Sequence, residues 1–138
     1  MRDIVILGST GSIGVQALEV IAANPTKFRV VGLSAGSNNL DRLIEQTKKF
    51  SVPIIGTTGD GKKLKDALPG VEVVDGADAS KSIAALSCDV VLNGITGSIG
   101  LGPTLAALEV GNTVALANKE SLVAGGDLVM AHCRDRII

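Results

Sequence analysis

The chain alternates short apolar runs with amphipathic stretches that are joined by turn residues. Residues 4–7 are apolar without interruption, which is typical of a strand buried on both faces of a parallel sheet. Residues 12–23 then place apolar side chains at helical spacing, and Asn24 and Pro25 end this predicted helix. Further strands are predicted at residues 28–34, 53–55, 71–74, 89–92 and 113–117, and further helices at residues 41–50, 62–68, 79–86, 103–110 and 121–134. This order predicts an α/β fold with a doubly wound parallel sheet.

The length and the charge of the chain limit the kinds of protein that it can be. A chain of 138 residues is a usual size for one domain, and no linker divides it, so we expect one domain over residues 1–138. Thirteen basic and 14 acidic residues give a formal net charge of −1, which does not favour nucleic-acid binding. No apolar run suits a signal peptide or a membrane span, so we expect a cytoplasmic protein. Residues 134–138 resemble a loop entering another strand, which suggests a truncated protein.

The scarcity of certain side chains excludes several chemistries. The chain has no tyrosine and a single histidine, His132, which excludes acid–base catalysis by tyrosine and argues against a zinc site of histidines and cysteines. Cys88 and Cys133 lie far apart in the sequence, and we expect both to be reduced thiols. Glycine is abundant instead, with 17 residues, and its placement carries the functional signal.

Three glycines follow the first predicted strand at a regular spacing. Gly8 allows a sharp turn, Gly11 leaves room for a pyrophosphate to approach the backbone, and Gly14 lets the helix pack closely on the sheet. The helix N-terminus offers N–H groups to phosphates, and the hydroxyls of Thr10 and Ser12 are additional donors. This motif, after the first strand of the pattern, predicts a Rossmann-type dinucleotide-binding domain. A tight strand-to-helix turn without a ligand is the alternative.

The glycine motif has a second copy at residues 94–100, where six of the seven letters recur after the predicted strand 89–92. A dinucleotide-binding fold has two mononucleotide halves, so this copy could border the nicotinamide. Close packing of one loop against its neighbour is the alternative. We assign the pyrophosphate to the first copy, because it follows the first strand and opens the first helix.

The turn after the second predicted strand bears on which dinucleotide binds. Domains specific for NAD normally carry a carboxylate there. In this chain, the first carboxylate after the second predicted strand is that of Asp41. Ser37 and Asn38 can instead donate hydrogen bonds to a 2′-phosphate, and Arg42 adds a positive charge. The turn therefore favours NADP over NAD.

Two further features compete for a functional role. Residues 32–36 match the GxSxG pattern of a hydrolase, with Ser34 as nucleophile and His132 as the only possible histidine base, and we regard this as a chance match. His132 is expected on the surface of the last predicted helix. Lys119 stands at the start of that helix, where a cation opposes the helix dipole, so it either holds an anionic group or is simply solvated.

These segments together resemble one enzyme family, 1-deoxy-D-xylulose 5-phosphate reductoisomerase. The similarity rests on residues 8–14, on Ala-Gly-Ser-Asn at residues 35–38 and, most specifically, on Leu-Ala-Asn-Lys-Glu-Ser-Leu-Val at residues 116–123. The resemblance implies the NADPH-binding domain of an enzyme that converts 1-deoxy-D-xylulose 5-phosphate to 2-C-methyl-D-erythritol 4-phosphate in non-mevalonate isoprenoid synthesis. It implies substrate contact at Lys119. Family residues that contact NADPH correspond here to Thr10, Gly11, Ser12, Ile13, Gly36, Ser37, Asn38, Asn118 and Glu120.

The same resemblance implies parts that this chain lacks. The family binds Mg²⁺ or Mn²⁺ through one Asp and two Glu residues, and its first ligand corresponds to a position just after residue 138. We therefore expect no metal ligands within the chain, no turnover by the chain alone, and a homodimer for the full-length enzyme. Another NADP-dependent reductase and a free-standing NADP-binding module are the two alternatives. Ser37 also replaces a basic residue found in some members, so we expect 2′-phosphate recognition at this position to be weaker or to be shared with Arg42.

Overall fold

The computed structural model describes residues 1–117, in which parallel strands and helices alternate. The strands are β1 (Arg2–Leu7), β2 (Phe28–Ala35), β3 (Ile54–Thr57), β4 (Glu72–Asp75), β5 (Val90–Asn93) and β6 (Thr113–Leu116). The helices are α1 (Ser12–Ala23), α2 (Leu40–Phe50), α3 (Gly61–Ala67), α4 (Ala79–Ala84) and α5 (Leu101–Glu109). Short 3₁₀ turns at Ser37–Asn39 and Ser98–Gly100 precede α2 and α5. The helix predicted at residues 121–134 lies outside the described residues.

The strands form one sheet in the order β4-β3-β2-β1-β5-β6, and every neighbouring pair is parallel. The chain builds outward from β1 to β4 and then returns to place β5 on the other side of β1. This topology confirms the predicted doubly wound sheet. The order of the strands reverses between β1 and β5, and folds of this kind bind ligands beyond the carboxyl ends of the strands at that point.

The two faces of the sheet are covered by different helices. Along β1, Ile4 and Ile6 pack in a cluster with residues of α1, α2 and α3, whereas Val5 and Leu7 pack in a second cluster with residues of α4 and α5. Alternate side chains of a strand point to opposite faces, so an uninterrupted apolar run is what a strand covered on both faces requires. Each fully buried aliphatic side chain of this kind contributes about 1.5–3 kcal/mol.

A bulge in β2 changes which of its residues face each side. Ile4 pairs with Val30, but Val5 pairs with Gly32, so Val31 is an extra residue in the ladder. A Cβ on Gly32 would lie 2.8 Å from Leu86 Cδ1, which shows how closely the α4 segment approaches the sheet there. The bulge thus places a glycine on the face of the sheet against which the α4 segment packs. The start of α4 lies at the carboxyl edge of the sheet.

Several element boundaries differ from the predicted ones by one or two residues. β2, β3 and β5 run on to Ala35, Thr57 and Asn93, because each stays paired with a parallel neighbour at those positions. α2 starts at Leu40 because the side chain of Asn39 accepts the N–H of Arg42 at 3.2 Å. No helix within residues 1–117 is long and apolar enough to cross a membrane.

Candidate functional site

A cleft of about 310 Å³ opens at the carboxyl edge of the sheet, where the strand order reverses. Gly8 and Gly11 line it from the loop after β1, Gly36 from the turn after β2, and Gly94 and Ile95 from the loop after β5. Its size falls within the usual range for small-molecule sites. Both glycine motifs and the predicted ribose-binding turn therefore meet at one cavity.

The first glycine loop, residues 8–14, begins with a sharp turn. Gly8 has φ +75°, a left-handed conformation that favours glycine. The N–H groups of Gly8 and Ser9 both donate to the carbonyl of Ser34 in β2, at 2.9 and 3.0 Å, and the N–H of Gly11 donates to the carbonyl of Gly8 at 3.1 Å. The sharp turn predicted at Gly8 is confirmed, and the loop is anchored to the neighbouring strand.

Gly14 allows a close contact, but its partner differs from the predicted one. A Cβ on Gly14 would lie 2.5 Å from the carbonyl oxygen of Gly8 and 2.5 Å from Ser9 Cα. Gly14 therefore lets α1 pack against the glycine loop, whereas the sequence had suggested contact with the sheet. A Cβ on Gly11 would meet only the Gly8 carbonyl oxygen, at an ordinary 3.5 Å, and Gly11 is exposed in the wall of the cleft.

The N-terminus of α1 has the features of an anion-binding site. Gly11 is its N-cap, no side chain caps it, and its first turn contains no acidic residue. Ser12 and Ile13 are exposed, and within residues 1–117 no acceptor receives the N–H group of Thr10, Ser12 or Ile13. Unpaired N–H groups and the positive end of the helix dipole together favour a phosphate.

The second glycine loop, residues 94–100, both packs on the first loop and lines the cleft. A Cβ on Gly8 would lie 3.1 Å from the carbonyl carbon and oxygen of Gly94, so the two backbones nearly touch. The buried Asn93 supports this loop: its Nδ2 donates to the Gly100 carbonyl at 2.9 Å and to Thr104 Oγ1 at 2.7 Å, and its Oδ1 accepts the N–H of Ile95 at 3.1 Å. Sequence reasoning missed Asn93, although a polar residue ending an apolar strand was a visible signal.

The predicted ribose-binding turn lies at the carboxyl end of β2. Gly36, Ser37 and Asn38 are all exposed there. The loop after β3 packs beside them, because a Cβ on Gly59 would lie 2.8 Å from Ser37 Cα. The nearest acidic residue in the chain, Asp41, forms an ion pair with Lys63 at 2.9 Å. The turn is thus polar and carries no carboxylate of its own.

Two basic side chains lie at this edge of the sheet. Arg42 Nη1 donates to the carbonyl of Thr10 at 3.2 Å, so this side chain spans from α2 to the first glycine loop. Lys81 lines the cleft together with Ser80 from the start of α4, and its Nζ lies 3.4 Å from Asp78 Oδ1. Sequence reasoning proposed Arg42 and missed Lys81, which only the close packing of α4 brings to the cleft.

Ser34 has none of the geometry of a hydrolase nucleophile. It is fully buried inside β2 instead of standing on a turn after the strand, and Ser80 Oγ donates to its hydroxyl oxygen at 3.0 Å. An attacking serine must be exposed at the sheet edge. This geometry agrees with the interpretation of the GxSxG pattern as a chance match.

The thiol of Cys88 is protonated at neutral pH. Burial, together with the negative charges of Asp89 and Asp3, raises the pKa of Cys88 to about 11. Cys88 is a free cysteine, as predicted. Since the thiolate is the reactive form, Cys88 is a poor nucleophile at neutral pH.

Five predicted residues of interest lie outside the described part of the chain: Asn118, Lys119, Glu120, His132 and Cys133. Within residues 1–117 no group of three or more His, Cys, Asp or Glu residues could hold a metal ion.

Comparison with known proteins identifies the family. The family model for 1-deoxy-D-xylulose 5-phosphate reductoisomerase matches residues 4–126. The chain belongs to this family. The reductoisomerase of Beutenbergia cavernae is 52% identical over 136 residues, covering 94% of this chain and 34% of the relative. The chain therefore spans about a third of the length of the curated relatives that it matches.

Solved reductoisomerase structures share the fold. The enzyme from Zymomonas mobilis in complex with NADPH superposes with a TM-score of 0.92 at 37% identity, covering 99% of this chain and 38% of that one. A reductoisomerase in complex with NADPH, fosmidomycin and magnesium superposes with a TM-score of 0.90 at 34% identity, covering 99% of this chain and 36% of that one. These similarities confirm the Rossmann-type fold class and the family predicted from the sequence.

Proposed function

We propose that residues 1–138 form the NADPH-binding domain of a reductoisomerase. The observation that carries this proposal is the uncapped N-terminus of α1, which meets an open cleft at the reversal of the strand order. The diphosphate lies against Gly11 and the start of α1, where it accepts hydrogen bonds from Thr10, Ser12 and Ile13. Solved reductoisomerases with the same fold are complexes with NADPH, which supports NADPH as the dinucleotide.

The turn after β2 selects NADPH over NADH in this proposal. Gly36, Ser37 and Asn38 surround the adenosine ribose, and the exposed Ser37 and Asn38 donate to the 2′-phosphate. A carboxylate at this turn would repel that phosphate, but the nearest one in the chain, Asp41, is paired with Lys63. The turn itself therefore places no negative charge against the 2′-phosphate.

The whole protein is proposed to carry the activity of its relatives, the conversion of 1-deoxy-D-xylulose 5-phosphate to 2-C-methyl-D-erythritol 4-phosphate. Bound NADPH supplies the hydride for the reduction. The contribution of the described residues is to bind the cofactor and hold its phosphates by backbone N–H groups at a preformed loop. They offer no cluster that fits Mg²⁺ or Mn²⁺, so we assign the metal site to another part of the protein and expect no turnover from this chain alone.

Three residues beyond the described part complete the proposed site. We propose that Asn118 and Glu120 contact NADPH and that Lys119 contacts the phosphorylated sugar substrate. We also propose that the full-length protein is a homodimer, as the family resemblance implies, and that it is cytoplasmic.

Titration of the purified chain with NADPH and NADH tests the proposed cofactor. We expect saturable binding of NADPH, followed by its fluorescence, and weaker binding of NADH under the same conditions. Tighter binding of NADH would contradict the assignment of the cofactor. No binding of either nucleotide would contradict the proposed function of the domain.

A further inference from the structure

Two side chains of α2, one helical turn apart, hold two successive carbonyls of the first glycine loop. Gln46 Nε2 donates to the carbonyl of Ser9 at 2.9 Å, and Arg42 Nη1 donates to the carbonyl of Thr10 at 3.2 Å. Residues at i and i+4 lie on the same face of a helix, so both contacts come from the side of α2 that meets the loop. The backbone of the loop is therefore oriented from outside its own segment.

Holding a carbonyl also sets the direction of the next N–H group. All peptide bonds of the described chain are trans, and in a trans peptide the C=O and the following N–H point in opposite directions. Since the Ser9 carbonyl points to Gln46, the N–H of Thr10 points away from α2. This N–H has no acceptor within residues 1–117, whereas the N–H groups of Gly8, Ser9 and Gly11 are all bonded within the protein.

The buried amide of Gln46 is only half satisfied. It is only 9% exposed, and neither its Oε1 nor the buried Oγ of Ser9 has a hydrogen-bond partner in the described part of the chain. The bond from its Nε2 stabilises the loop, whereas a buried polar atom without a partner costs folding free energy. A local arrangement that is unfavourable for folding, at the edge of a candidate site, points to a role in that site.

We propose that Gln46, assisted by Arg42, is a positioning residue for the cofactor. It presets the glycine loop so that the N–H of Thr10 is directed at the diphosphate before the dinucleotide arrives. This inference rests on the proposed function. It adds a residue that lies 37 positions after Ser9 in the sequence and that touches no ligand atom itself. Preset donors avoid the cost of ordering the loop during binding.

The test replaces Gln46 by Met, which has a similar shape but no donor, in the chain of residues 1–138. The matched control is Gln16→Met, because Gln16 is an exposed residue of α1 outside the cleft. Three quantities are measured for each variant: unfolding free energy by urea denaturation, the Kd for NADPH, and the Kd for 2′-AMP by NMR titration. The last ligand carries the ribose phosphate without the diphosphate.

We expect the Gln46→Met variant to stay folded but to lose unfolding free energy, because the buried carbonyl of Ser9 is left without its donor. Its Kd for NADPH should rise by about tenfold, the equivalent of one hydrogen bond, and its Kd for 2′-AMP should not change. The amide proton of Thr10 should also shift less on saturation with NADPH. Gln46→Leu provides a second variant with the same expectation.

Two results overturn the inference alone: unchanged NADPH affinity in folded Gln46 variants, or equal loss of NADPH and 2′-AMP affinity, which indicates a purely structural role. Absence of NADPH binding by the unaltered chain is a different result, and it overturns the proposed function as well.

Discussion

Alanine at Gly14 and at Gly11 should separate the folding role of the first glycine loop from its binding role. A Cβ at position 14 would lie 2.5 Å from the Gly8 carbonyl oxygen and 2.6 Å from the Ser9 carbonyl oxygen, about 1 Å closer than an ordinary contact. These neighbours are backbone atoms, so no side-chain rotation can relieve the contact, and α1 must move away from the loop.

The cost of Gly14→Ala follows from two opposing terms. Overpacking of this kind costs about 1–3 kcal/mol, and we expect the upper part of that range because the contacting backbone is anchored on β2. Alanine regains about 1 kcal/mol of helix propensity relative to glycine. We therefore expect a net loss of ~1–2 kcal/mol of unfolding free energy, together with weaker NADPH binding because the helix N-terminus is displaced.

Gly11→Ala is the matched variant with the opposite expectation. A Cβ there would be 3.5 Å from the Gly8 carbonyl oxygen, and φ at Gly11 is −77°, so neither packing nor backbone strain opposes alanine. Stability should stay within about 0.5 kcal/mol of the unaltered chain. The added methyl group occupies the wall of the cleft, and loss of one or two charge-assisted hydrogen bonds would raise the Kd for NADPH by about 10- to 100-fold.

Urea denaturation followed by circular dichroism measures the first quantity, and fluorescence titration with NADPH measures the second. Full NADPH affinity in Gly11→Ala would show that the diphosphate does not approach Gly11. Unchanged stability in Gly14→Ala would show that α1 and the loop do not meet as closely as the structure places them.

Three further changes test other parts of the structure. Asn93→Ala should lower the unfolding free energy by about 2–4 kcal/mol in urea denaturation, because it removes three hydrogen bonds of a buried side chain, whereas Asn24→Ala, which removes one exposed side-chain bond, should cost under about 1 kcal/mol. In a Cys133→Ser background, alkylation of Cys88 by iodoacetamide should be slow at pH 7 and rise about tenfold per pH unit until the pH approaches its pKa of about 11. Ser37→Glu should raise the Kd for NADPH at least tenfold, with little effect on NADH, because its carboxylate faces the 2′-phosphate; an order-of-magnitude change corresponds to about 1.4 kcal/mol.

Each of these predictions has a contradicting outcome. Equal costs for the two asparagine variants would mean that Asn93 does not hold the second glycine loop. Alkylation of Cys88 at neutral pH as fast as that of an exposed cysteine in the unfolded chain would show that its thiol is not shielded. An equal effect of Ser37→Gln, which matches the size of glutamate without its charge, would mean that bulk and not charge weakens NADPH binding.

Much of the fold was predictable because its determinants are local. Apolar periodicity located the strands and helices of residues 1–117 to within a few positions, and the alternation of types predicted the parallel sheet. The bulge at Val31 was not predictable, because an extra residue in one strand becomes visible only against its partner. Gly32 and the approach of α4 to the cleft depend on that pairing.

The residues of the candidate site likewise include some that the sequence predicted and others that only the structure revealed. The glycines at positions 8 and 11 were assigned from the sequence, because a sharp turn and an open backbone are properties of the residue itself. Asn93, Gln46 and Lys81 were missed, since each acts through contacts with residues distant in sequence or in another element.

The amino-acid sequence by itself thus determined the class of sheet, the position of the first glycine loop and the family of the protein. Those features follow from backbone conformational preferences and from motifs of consecutive residues. Only the tertiary structure decided that the two glycine loops touch at Gly8 and Gly94, that Gly14 packs on the loop instead of the sheet, and that α2 orients the loop through side chains. Such contacts depend on how the elements pack against one another, and local periodicity does not record that packing.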